Sequence, residues 1–170
     1  MISLSGILSA TMQSAELAAK AVAGHISVRV VDSRSGSMGQ GITVIACAKL
    51  AASGASLDEV VATGENLALR SKVWGALDTL ENLKKGGRIG GAKAMMASAL
   101  SIKPIIEVVD GKIEEGGKQR TRSKALAFLL EKVRDAGPIE NLAVLQANCN
   151  DFEAFVESLR EIYSGDIIVG

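Results

Sequence analysis

The chain has 170 residues, 48% of them apolar and 3% aromatic, which is enough for a sizeable core but offers few rings on which bases could stack. Lys plus Arg and Asp plus Glu each total 19, so the zero net charge gives no bulk attraction for nucleic acid or anionic membrane. No stretch reaches the ~20 apolar residues of a membrane span, and the run from Met1 to Ala15 lacks the basic start of a secretory leader, so a cytoplasmic protein is expected.

Ser9 or Thr11 can cap a first helix that runs to about Ala23 and is closed by Gly24. Ile26, Val28 and Val30 then alternate with Ser27, Arg29 and Val31, the period of a half-buried strand, and Asp32-Ser33 ends it. A second helix is predicted from Ser37 through Ile42 and Ile45 to about Ser53, where Gly54 stops it, and Ser56-Leu57-Asp58-Glu59 has the spacing of a capping box for a third. After Lys72 the pattern changes. A strand from Val73 to Leu77 leads into one helical turn carrying Leu80 and Leu83, then the glycine-rich loop Gly86-Gly87-Arg88-Ile89-Gly90-Gly91. The run from Ile105 to Ile113 reads as a hairpin turning at Asp110-Gly111. A helix from about Thr121 to Asp135, a strand from Leu142 to Leu145, a helix from Phe152 to Arg160 and a strand starting at Ile167 complete the chain.

These elements make an α/β protein of two units, 1–71 and 72–170. The first reads as helix-strand-helix-helix, with a single strand that leaves both edges open, so self-association through an apolar patch around Val28 and Val30 is expected. The second reads as a mixed or antiparallel sheet with helices.

Catalytic and metal chemistry has little to work with. His25 is the only histidine and stands at a loop edge, Cys47 and Cys149 have no ligand spacing, and the glycine segments contain neither nucleotide-binding pattern. No catalytic residue, metal or cofactor is expected. Ser9 and Thr11 either cap their helix or hold an anion there, since free N–H groups and the helix dipole favour negative charge. Arg88 either stitches its glycine loop to a neighbouring carbonyl or meets a ligand. In Lys118, Arg120, Arg122 and Lys124 every second residue is basic, which reads as one side of a strand end: a solvated edge or a dock for an acidic partner. Met12, Met38, Met95 and Met96, with Ala92, Ala94, Ala97, Ala99 and Leu100, are core or a flexible lining.

Leu8-Ser9-Ala10-Thr11-Met12-Gln13-Ser14-Ala15, the stretch from Val30 to Gly39, the loop around Arg88 and Lys118 to Ala125 occur in the order found in the DegV family of bacterial fatty-acid-binding proteins, which the chain resembles. Ala10 stands where the family pattern Leu-Ser-Gly-Thr-x-Gln-Ser-Ala has glycine. Family members are longer at both ends, so a truncated member is expected. The resemblance implies a two-domain fold that holds a long-chain fatty acid in a tunnel between the domains. By the same resemblance Ser9 contacts the carboxylate, Arg88 lies near the head-group end, and the helices carrying Met38 and Ile42, and Met95 to Leu100, border the tunnel. It further implies presentation of the carboxylate to a dihydroxyacetone-kinase-like fatty acid kinase, the carrier itself not being an enzyme. The alternative is a truncated remnant with a structural or interaction role and no ligand.

Overall fold

The structure is a computed structural model that describes residues 1–98 and 102–170. Its first five elements are β1 (Ile2–Ser3), α1 (Thr11–Ala21), β2 (Val31–Asp32), α2 (Ser37–Ala52) and α3 (Leu57–Arg70). β1 and β2 are parallel, Ile2 lying opposite Val31 and Ser3 opposite Asp32. This corrects the expectation of a single strand over Ile26 to Val30: pairing begins where Met1 to Ser3 supplies a partner, with Val31 N–H donating to Met1 O at 2.9 Å and Ser33 N–H to Ser3 O at 3.0 Å. The Ile26 N–H is instead spent on Val22 O, closing the turn after α1, and its side chain is 59% exposed.

α2 and α3 pack on this short sheet through small residues. A Cβ on Gly64 would stand 3.2 Å from Ile2 Cδ1 and 3.3 Å from Cys47 Sγ, so α3 approaches the sheet and α2 as closely as backbone allows. The capping box of α3 is formed: Glu59 N–H donates to Ser56 Oγ at 3.3 Å and Ser56 N–H to Glu59 Oε2 at 2.7 Å. The Ser56 hydroxyl, donating to Glu59 Oε2 at 2.7 Å, and after it the Ser56 N–H hold the Glu59 carboxyl below its ordinary range. α1 differs from its neighbours in burying no residue, and Leu17 on it is 68% exposed.

The remaining elements are β3 (Trp74–Ala76), α4 (Glu81–Lys85), a 3₁₀ helix (Gly90–Ser98), β4 (Lys103–Val109), β5 (Lys112–Gln119), α5 (Arg122–Asp135), β6 (Leu142–Val144), α6 (Phe152–Arg160) and β7 (Ile167–Val169). β3, β4 and β5 form an antiparallel sheet. The β4–β5 hairpin turns on Asp110 (φ 49) and Gly111 (φ 79), the two consecutive positive φ angles of a tight turn matched to strand twist. β6 and β7 pair in parallel as a separate ribbon. Leu80, Ala92, Met95 and Ile113 form a buried core between the 3₁₀ helix and the sheet, with Leu8 from the first half packed against it. Ala99 and Leu100, expected beside a lining, lie outside the described residues. The chain is therefore mixed α/β, with its core shared between the Leu8 loop and the antiparallel sheet.

Candidate functional site

The loop that leaves the carboxyl end of β1 carries Ser5, Leu8 and Ser9. Ser5 is fully buried; its N–H donates to Ser35 O at 2.8 Å, and its hydroxyl donates to Gly111 O at 2.7 Å while accepting from Ile7 N–H at 3.1 Å. One serine thus ties together the loop after β1, the loop after β2 and the tip of the β4–β5 hairpin. Arg34 adds an ion pair to Asp110 at 2.6 Å on the exposed side of the same junction. Sequence reasoning found the Asp110-Gly111 turn but not this docking, because nothing local to Ser5 or Arg34 announces a partner about a hundred residues along.

Ser5 O also accepts from the N–H groups of Leu8 and Ser9 at 3.0 and 3.1 Å, curling the loop so that the Ser9 and Thr11 hydroxyls face each other at 2.8 Å. Ser9 Oγ accepts from Thr11 N–H at 3.2 Å, yet the N-cap position of α1 belongs to Ala10, which has no capping side chain. The glycine loop brings the cation. α4 ends at Gly86 and Gly87 (φ 69), Arg88 N–H donates to Leu83 O, and the guanidinium donates through Nε to Leu8 O at 2.8 Å and through Nη1 to Gly86 O at 3.3 Å. Arg88 therefore does stitch its loop, and the carbonyl it reaches is the residue before Ser9. Among the described residues its Nη2 makes no hydrogen bond. The guanidinium is thus held on the carbonyl one residue before the Ser9–Thr11 hydroxyl pair, and guanidinium and hydroxyl donors are the groups that take a carboxylate or phosphate oxygen.

A cavity of about 830 Å³ lies between the start of α2, β3, α5, β6 and α6. Met38 and Ile42 line it, together with Leu126, Leu129 and Phe155. Ser9, Thr11 and Arg88 are not in its wall, and neither are Met95 and Met96. Met95 is fully buried in the core under the 3₁₀ helix, beside Leu80 and Ile113, and Met96 packs against that core. Met12 sits instead beside Gly6. The carboxylate-type site and the cavity approach each other at the α2 N-cap, Gly36, where a Cβ would lie 4.0 Å from Leu8 Cδ1 and from which Ser37, Met38 and Gly39 continue along the cavity wall.

The basic run does not share one strand side. Lys118 is the penultimate residue of β5 and pairs with Glu115 at 3.0 Å, Arg120 is exposed in the turn, and Thr121 caps α5 by accepting from Lys124 N–H at 3.3 Å, so the helix rotates Arg122 and Lys124 out of the strand's alternation. Arg122 lines the cavity and donates through Nε and Nη2 to both Asp151 oxygens at 2.9 and 3.0 Å. The fork raises the Arg122 pKa and holds the Asp151 carboxyl below its ordinary range. At the outer end of β3 the Lys103 ammonium does the same to Asp78 across 2.8 Å. Burial pushes the Cys47 thiol up, and both cysteines are free. His25 lies exposed in the turn after α1.

Residues 1–169 match the family model described as an uncharacterised protein of the DegV family. A DegV domain-containing protein of Deinococcus radiodurans is 40% identical over 131 residues, 77% of this chain and 46% of that protein. Among solved structures, one described as fatty acid binding of a DegV family protein from Thermus thermophilus superposes with a TM-score of 0.83 at 35% identity, covering 98% of this chain and 61% of that one. A DegV family protein from Corynebacterium glutamicum superposes at 0.86 with 33% identity, covering 99% and 66%. This chain spans about half the length of the curated relatives it matches (46%). With the family model matched along almost every residue and the fold superposing throughout, the chain belongs to the DegV family.

Proposed function

We propose that the chain is a fatty-acid-binding unit that holds a long-chain fatty acid by its carboxylate at Ser9, Thr11 and Arg88 and lays the acyl chain along the apolar side of the cavity, reached past Leu8 and Met38. The observation that carries this reading is the 2.8 Å bond from Arg88 Nε to Leu8 O, which brings a guanidinium to the residue before Ser9 across eighty residues of sequence. The Thermus thermophilus relative, described as fatty acid binding, supports it. A volume of about 830 Å³ falls in the ~300–1,000 Å³ range of small-molecule sites. Burial of methylenes at ~0.8 kcal/mol each would supply affinity, and the charged end would supply orientation.

In this reading the chain is a cytoplasmic carrier rather than an enzyme, divided near Arg70 to Lys72 into units 1–71 and 72–170, and the carboxylate is presented to a dihydroxyacetone-kinase-like fatty acid kinase that phosphorylates it. The nucleotide and its metal belong to that partner. Arg120 and Lys124 are left as its docking surface, whereas Lys118 is paired with Glu115 and Arg122 is committed to Asp151. One observation favours the alternative of a non-binding interaction remnant: α1, which begins at the proposed head-group site, buries none of its residues. Titration with a fluorescent fatty acid separates the two. Saturable binding by the parent that weakens in Ser9→Ala and Arg88→Ala supports the carrier. Equal, unsaturable uptake by all three supports the remnant.

A further inference from the structure

A shallow outer groove of about 400 Å³ lies beside the cavity, and Leu67, Arg70, Glu140 and Asn141 border both. Met38 and Ile42 line the cavity and Ala46 lines the groove; residues four apart on α2 share one face, so one apolar stripe runs from the first space into the second. The two charged members of the shared border form an ion pair, 2.7 Å from Arg70 Nη1 to Glu140 Oε1 and 3.4 Å from Nη2 to Oε2. Its posts are anchored: Arg70 Nε donates to Asn66 Oδ1 at 2.8 Å, and the Tyr163 hydroxyl donates to Glu140 O at 3.4 Å. Its arms stand in water, with the side chains 50% and 65% exposed. The other arginine–carboxylate pair of the cavity, Arg122–Asp151, makes two bonds of 2.9 and 3.0 Å and is more sheltered, so Arg70–Glu140 is the weaker of the two closures.

We propose that the Arg70–Glu140 pair is a gate over a second mouth of the cavity, through which an apolar chain enters and leaves along the Met38, Ile42 and Ala46 stripe. The first mouth is the approach past Leu8 and Gly36. Gly36 and Ala46 are ten residues apart on α2, about 15 Å at 1.5 Å per residue, so the tail of a bound acyl chain, and not its carboxylate, meets the gate. Because the pair is exposed, salt screens it, and ionic strength sets how often it opens. The inference rests on the fatty-acid reading for the identity of the ligand, whereas the gate itself needs only the cavity.

The one tryptophan, Trp74, lies in the cavity wall, so energy transfer from it to N-phenyl-1-naphthylamine, an uncharged apolar probe, reports entry and exit in stopped flow. Glu140→Gln is expected to speed both uptake and release at low salt by up to about fivefold, the kinetic equivalent of an exposed ion pair, and to leave Kd almost unchanged. Arg70→Glu combined with Glu140→Arg rebuilds the pair with its charges exchanged and is expected to restore the parent rates. Raising salt to about 1 M should bring the parent close to Glu140→Gln and barely move that variant. Equal rates in parent and Glu140→Gln, faster release without faster uptake, or a charge exchange that stays fast each overturns the gate, and so does a parent that takes up no probe. Displacement of the probe by palmitate reads the carrier separately. Gated probe kinetics without displacement leave the gate and remove the carrier; displacement with ungated kinetics does the reverse.

Discussion

The Ser9 hydroxyl accepts from Thr11 N–H and pairs with the Thr11 hydroxyl, while the cap position itself is held by Ala10. Ser9→Ala therefore removes a local turn bond rather than a true N-cap, and melting should shift little, whereas fatty-acid affinity should fall by ~1.5–3 kcal/mol, the range for a hydrogen bond to a charged group. A variant that melts lower but binds as the parent does would leave Ser9 a purely structural residue. The Arg122–Asp151 fork has its own signature. Asp151 has a depressed pKa in the folded state, so its contribution is present above about pH 4 and is lost as pH falls through the folded value. Both side chains are about a third exposed, 31% and 36%, so the fork contributes no more than ~1 kcal/mol. Asp151→Asn should cost that amount at neutral pH and progressively less as acid protonates the folded-state carboxyl, as read by urea unfolding at neutral and at acid pH. A variant deficit that is the same at both pH values would mean that the carboxylate charge is not what matters.

At the scale of elements, two glycines separate backbone strain from site geometry. Gly54 ends α2 at φ 92 with nothing within 4 Å of an added Cβ, whereas Gly111 sits at φ 79 with Ser5 Oγ 2.5 Å from where its Cβ would stand. Gly54→Ala should cost ~1–2 kcal/mol in melting and leave binding alone. Gly111→Ala should cost more and also weaken fatty-acid affinity, because it displaces the Ser5 loop from which Ser9 hangs. Equal binding losses in the two variants would argue against Ser5 as the link. The same contrast explains what was legible in the sequence. The Ser56–Glu59 box, the Asp110-Gly111 turn and the helix from Thr121 are each written within four residues, and all are present. β2 is formed at Val31–Asp32, opposite Ile2–Ser3, and the Lys118-to-Lys124 alternation breaks at a cap. No local pattern tells that Met38 and Ile42 line the cavity or that Met95 lies in the core, because a 3₁₀ segment does not keep α-helical facing.

For the whole molecule, the proposed carrier would join a polar contact point at Ser9, Thr11 and Arg88 to an apolar cavity, with exposed charge left for the proposed kinase. Arg120→Ala with Lys124→Ala should leave fatty-acid affinity unchanged and slow phosphoryl transfer by the kinase, with an effect that shrinks at high salt because screening shortens from ~8 Å at physiological ionic strength to ~3 Å at 1 M. Loss of the fatty acid itself in that variant would move the basic residues into the binding site. The exposed Ile7 and Leu17 beside α1 should make the chain associate with rising concentration, a property that light scattering reads directly. The most direct measurement is native mass spectrometry of the chain purified from bacteria, alongside Arg88→Ala. The account predicts a long-chain fatty acid retained by the parent and largely lost from the variant. A parent that carries no fatty acid, and takes up none when palmitate is added, would contradict it.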